Sequence, residues 1–99
     1  MNDSVAHREC QEDYRRQGYL PEHRIKFPSG KCVRVDCYDP KTGRVVEIVD
    51  THGDLKKAKF LRECGIDVTW HFVSDKVNRL KYEPFGNVIF DSYYCLEGI

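Results

Sequence analysis

Polar and apolar positions alternate sharply in the middle of the chain. In CVRVDCY (32–38), Val33, Val35 and Cys37 alternate with Arg34, Asp36 and Tyr38. In RVVEIVD (44–50), Val45, Glu47 and Val49 alternate with Val46 and Ile48. A period of two predicts two strands. DPKTGR (39–44) between them reads as a hairpin loop, with Pro40 suited to a type I turn and Gly43 to a left-handed closing residue. HRIKF (23–27) is a shorter strand, joined to 32–38 by the turn PSGK (28–31).

Helical spacing governs other segments. Residues 3–18 carry helix formers, with Asp3 or Ser4 as cap and Gly18 at the close. DLKKAKFLRECG (54–65) places Leu55, Ala58, Leu61 and Arg62 along one stripe between an Asp54 cap and Gly65. IDVTWHFV (66–73) is a further strand, and SDKVNRLKY (74–82) a short helix capped by Ser74. NVIFDSYYCL (87–96) is a last extended segment or edge strand. The order is α-β-β-β-α-β with a C-terminal extension. It predicts an α/β domain over residues 1–99 with a mixed sheet and helices packed against it.

Composition narrows the classes. The chain is 40% hydrophobic and 32% charged, which is globular rather than disordered. Net charge is zero, so any polyanion site must come from local clustering. No apolar run reaches the ~18 residues of a membrane span, and the N-terminus lacks the apolar core of a signal peptide. A cytoplasmic, non-membrane protein is expected. Cys10, Cys32, Cys37, Cys64 and Cys95 contain no C-x-x-C pair, so they read as reduced thiols rather than zinc ligands.

The hairpin register then raises a chemical question. Counting outward from the loop sets Tyr38 opposite Val45, Cys37 opposite Val46, Asp36 opposite Glu47 and Arg34 opposite Val49. Two facing carboxylates repel, and sheet stability does not favour them. A register one residue off, or two solvated surface acids, would remove the problem. Otherwise a raised pKa, a nearby Lys or Arg, or a divalent cation must relieve it. Hard oxygen donors favour Mg2+ (or Mn2+) over softer metals.

An Asp on one strand, a hairpin, and Glu on the next resembles the PD-(D/E)XK, or restriction-endonuclease-like, nuclease superfamily. EIVDTHGDLKKAKFLRECGIDVTWHFV is similar to the small VRR-type nuclease domains, and YDPKTGRVVEI resembles bacterial toxin domains of that fold. The resemblance spans about residues 32–73. It implies a restriction-endonuclease-like core and a Mg2+-dependent nuclease acting on nucleic acid, with DNA ranked before RNA and a homodimer as the simplest way to cut two strands. It implies Asp36 and Glu47 as metal ligands, with the Ile48 carbonyl as a third and Glu9 or Glu12 on the first helix as an additional carboxylate.

One departure bears on mechanism. The motif lysine falls at residue 49, where this chain has Val49. Valine can neither donate a hydrogen bond nor carry charge. Arg34, opposite it, and Lys56 or Lys59 on the following helix are candidate cationic substitutes. Lys56, Lys57, Lys59 and Arg62 form either a solvated helix face or a phosphate-contacting patch. A decayed scaffold that binds nucleic acid or protein without cleaving is the alternative, and an unrelated α/β partner-binding protein a third. Asp50 and His52 read as turn and cap residues before metal ligands, and His71 as a packed strand residue. Tyr82, Phe85, Phe90, Tyr93 and Tyr94 read as packing or dimer contacts ahead of base-stacking groups.

Overall fold

A computed structural model describes residues 4–91 and residue 94. Helix α1 spans Val5–Arg16 and starts at Ser4, whose hydroxyl accepts the His7 N–H at 3.0 Å. Asp3, the other candidate cap, lies outside the described residues. Strand β1 (Leu20–Lys26) begins three residues before the apolar pattern suggested. The reason is its partner: it pairs antiparallel along β2 (Cys32–Tyr38), from Leu20 opposite Tyr38 to Lys26 opposite Cys32, except at Asp36. Pro21 is tolerated because β1 is an edge strand.

The hairpin loop forms as its residues dictate. The Asp39 carboxylate accepts from the Lys41 N–H and the Thr42 hydroxyl, and Gly43 takes a left-handed φ of 80°. Strand β3 (Val45–Val49) returns antiparallel to β2. Helix α2 (Leu55–Glu63), capped by Asp54, crosses over to β4 (Val68–Phe72), which runs parallel to β3. The expected helix over 74–82 is corrected. Ser74 instead donates its hydroxyl to the Asp50 carbonyl at 2.6 Å, and a 3-10 helix runs from Arg79 to Phe85 with Asn78 as its cap. Strand β5 (Asn87–Phe90) pairs parallel to β4 at the other edge. The rest of the 87–96 segment lies outside the described residues, Asp91 and Tyr94 excepted.

The result is an α/β structure with one mixed five-stranded sheet in the order β1-β2-β3-β4-β5. Its two faces carry separate cores. The α2 side gathers Val35, Val45, Val49, Ala58, Leu61, Val68, Trp70, Phe72 and Tyr82. The α1 side gathers Cys10, Cys37, Val46, Ile48, Val73 and Tyr94. Every residue of β3 and β4 is buried, as central strands covered on both faces should be. Among the described cysteines, Cys10, Cys32, Cys37 and Cys64 are free thiols; Cys95 lies outside the described residues. No described helix is long and apolar enough to cross a membrane.

The strict alternation expected along β2 does not hold. Val33 and Val35 pack on the α2 side, but Cys37 packs on the α1 side and Tyr38 again on the α2 side. The pleat is therefore interrupted at Asp36. Across the β1–β2 ladder, the missing pair is the one Asp36 would make with Glu22. Glu22 has a φ of 51°, and the Asp36 carbonyl accepts from the Gln11 side chain at 2.8 Å. A local break, rather than a shift of register, frees Asp36 from its place in the sheet.

Candidate functional site

The predicted hairpin register holds at Tyr38–Val45 and Cys37–Val46, and the ladder stops there. Beyond it, side chains take over the backbone's hydrogen bonds. The Asp36 N–H donates to Glu47 Oε2 at 2.8 Å, and the Ile48 N–H donates to Asp36 Oδ2 at 2.8 Å. The two carboxylates thus fill the gap where β2 and β3 part. In an extended strand the N–H and C=O of one residue point to the same edge, so the Ile48 carbonyl is turned toward this gap as well.

Two basic side chains flank the pair. Lys57 Nζ lies 2.8 Å from Glu47 Oε1, with the Glu47 side chain only 8% exposed. His7 Nε2 lies 3.5 Å from Asp36 Oδ2. Glu47 and Lys57 meet on the α2 side, because Glu47 shares its face of β3 with Val45 and Val49. His7 and Gln11 reach Asp36 from α1, one helical turn apart.

Electrostatics divide the two acids. Burial and the charge of Asp36 push the Glu47 carboxyl up to about 7, against the opposing pull of Lys57 and the Asp36 N–H. Burial acts on Asp36 in the same sense. The His7 hydrogen bond, the Ile48 N–H and the charges of His7 and Lys57 outweigh it and hold Asp36 below its ordinary value. Near neutral pH the pair therefore resists carrying two full negative charges, a demand that a bound cation would meet.

The donor set suits a hard divalent ion: two carboxylates and a carbonyl, with water completing the shell that Mg2+ retains. Among the described residues no three His, Cys, Asp or Glu side chains converge as ligands, so the carboxylate count stops at two. Asp50, Thr51 and His52 line a cleft of about 250 Å3 with Ser4, His7, Asp36 and Ile48. His52 Nδ1 there is 2.9 Å from the Thr51 hydroxyl.

Other candidates lie elsewhere. Arg34 is exposed, pairs across the ladder with Arg24, and holds Glu22 at 3.3 Å. It is not ladder-paired with Val49, because the β2–β3 ladder ends before reaching it. Lys59 and Arg62 are exposed on α2. Glu9 is exposed on α1 beside Arg8, Glu12 and Asp13, and Glu12 pairs with Arg15 and Arg16. The inward positions of α1 are instead His7, Cys10, Gln11 and Tyr14. His71 is buried in β4, with Nδ1 2.7 Å from the Tyr14 hydroxyl. Tyr82 and Tyr94 are buried, Phe85 packs against the α2-side core, and Phe90 lies under Arg79. Tyr93 lies outside the described residues.

Two contacts of the site are not announced by the sequence pattern: His7 at Asp36, and Lys57 at Glu47. A signal for Lys57 exists. Asp54 as N-cap puts Lys57 in the first turn of α2, and helical side chains lean toward the N-terminus, back toward the end of β3. Compared with family models, curated proteins and solved structures, the chain matches none.

Proposed function

We propose that this chain is a metal-dependent phosphodiesterase of restriction-endonuclease-like fold that cuts nucleic acid. One observation carries the proposal: Asp36, Glu47 and the Lys57 ammonium gather at the point where β2 and β3 separate. The α-β-β-β-α-β order, with a crossover from β3 to a parallel β4, supports the same reading.

Each residue has a distinct task. Asp36, Glu47 and the Ile48 carbonyl would hold Mg2+ or Mn2+, which supplies positive charge opposite the developing charge on a phosphoryl oxygen. Lys57 takes the task that Val49 cannot perform. Its ammonium reaches the same carboxylate from the helix and can position a water or steady the charge of the attacked phosphate. Gln11 holds the Asp36 backbone, and His7 holds the Asp36 carboxylate in the ionised form that a ligand requires.

Incubation of plasmid DNA and of RNA with Mg2+ or Mn2+ tests this. Cleavage is expected, with loss in Asp36→Ala and in Lys57→Met. The convergence of only two carboxylates favours a second reading, a scaffold that binds nucleic acid without cutting it. Salt-sensitive binding by the folded chain with no cleavage under either metal would establish that second reading and overturn the first.

A further inference from the structure

A groove of about 280 Å3 runs between the β1–β2 turn and α2, lined by Lys31, Val33, Asp54, Lys56, Lys57 and Phe60. Its charge is one-sided: three ammonium groups against one carboxylate, in a chain of zero net charge. That carboxylate is committed as the helix cap, accepting the Lys57 N–H at 3.0 Å. Lys57 belongs to the groove and to the site at once, because its Nζ is 2.8 Å from Glu47. Lys57 is thus the residue that links the groove to the carboxylate pair.

The groove also offers an aromatic plane. Phe60 is half-buried, and the Phe27 ring meets it edge to face with centroids 5.4 Å apart. Lys31 Nζ sits over the Phe60 ring, 4.1 Å from its centroid. A half-buried ring braced by Phe27 and covered by an exposed lysine's ammonium offers a stacking platform whose cover can be exchanged.

We propose that this groove seats a single-stranded nucleic acid, which names the substrate class of the site and rests on the nucleic-acid part of the function proposed above. An unpaired base takes the place of the Lys31 ammonium on Phe60. Lys31 and Lys56 then hold the flanking phosphates, and the adjoining phosphodiester lies at Lys57, beside Asp36 and Glu47. A single strand is singled out because stacking on a side chain needs a base with a free face. An acidic peptide would satisfy the lysines and leave the aromatic plane unused.

Fluorescence anisotropy with labelled oligothymidylate, oligouridylate and a duplex of matched length, in EDTA, is the test. Both single strands are expected to bind at least about tenfold more tightly than the duplex. Phe60→Leu should weaken single-strand binding by about tenfold or more. Lys31→Ala should weaken it and reduce the steepness of its salt dependence by about one phosphate contact, with Lys31→Arg restoring both. Lys31 is exposed at the hairpin turn, so its variants keep the test decisive if Phe60→Leu fails to fold. Duplex binding as tight as single-strand binding, affinity indifferent to both residues, or equal competition by polyglutamate would each overturn the proposal. Cleavage is scored separately with Mg2+ or Mn2+. Residue-60-dependent single-strand binding without cleavage supports the groove and sinks only the catalytic reading, whereas cleavage with duplex-preferring binding sinks only the groove.

Discussion

Replacing Glu47 with Gln should flatten a pH dependence that the wild-type chain carries. In the folded chain, burial and the nearby Asp36 charge raise the Glu47 carboxyl from 4.5 to about 7. Between those values the folded chain keeps a proton on Glu47 that the unfolded chain has released. Stability then falls as pH rises, because the folded state binds more protons. Across that interval the loss from Glu47 alone is about 3 kcal/mol. In a domain of this size, this corresponds to roughly 10–20 °C in melting temperature.

Asp36, held below its ordinary value, contributes stability that is lost only at more acid pH, as pH falls through its folded value. His71, lowered by burial, titrates alike in both proteins and cancels in the difference. The loss of Lys57's partner displaces the variant's curve without tilting it. The assay is urea unfolding of both proteins in EDTA from about pH 4.5 to about pH 7.5. The stability of Glu47→Gln minus that of wild type should climb by about 3 kcal/mol over this range. Saturating Mg2+ should flatten the wild-type curve, since a bound cation favours the ionised form. Parallel curves, or a difference that shrinks with rising pH, would refute the picture of two buried acids in mutual repulsion.

Further outcomes follow from the same contacts. Lys57→Met should lower kcat for cleavage by ~100-fold or more and also lower the melting temperature, since the buried Glu47 loses its cation, whereas Lys59→Met should leave both nearly unchanged. Steady-state kinetics on one oligonucleotide compares the two. Val49→Lys should not restore a missing function: residue 49 lies in the α2-side core at 3% exposure, so a buried ammonium there should lower the urea midpoint without raising cleavage. Gly53→Ala should cost ~1–3 kcal/mol in urea unfolding, because a Cβ there would lie 1.9 Å from the buried Tyr82 hydroxyl. Tyr14→Phe should cost about 1 kcal/mol in the same assay, as His71 Nδ1 loses its partner.

Much of the scaffold can be read from the residues themselves. DPKTGR supplies Pro, Gly and an Asp that accepts from two neighbours, so the loop fixes itself and the register beside it. Asp54 and Gly65 bracket α2 for reasons of capping and left-handed backbone. The extent of β1 was not legible, because LPE carries little strand signal and its pairing comes from β2. The helix expected from Ser74 failed for a similar reason: the Ser74 hydroxyl is drawn to the Asp50 carbonyl, a contact 24 residues away in sequence.

The site shows where alternation stops being informative. A period of two predicts that Asp36 and Glu47 face each other within an intact ladder. Such a ladder would have opposed their charges with nothing to relieve them. What forms is a break at Asp36, stabilised by Gln11 on one side and by the carboxylates' own bonds to backbone N–H groups on the other. The unbroken alternation of β3 explains the valine. With Glu47 turned to the α2 side, residue 49 follows it into the α2-side core, where a lysine would be buried rather than presented. A cation for Glu47 has to come from outside the sheet, and the first turn of the helix leaving β3 is the nearest covalent route. Lys57, eight residues past the end of β3, supplies it. The ammonium that meets the buried carboxylate comes from the helix, not from residue 49 of the strand.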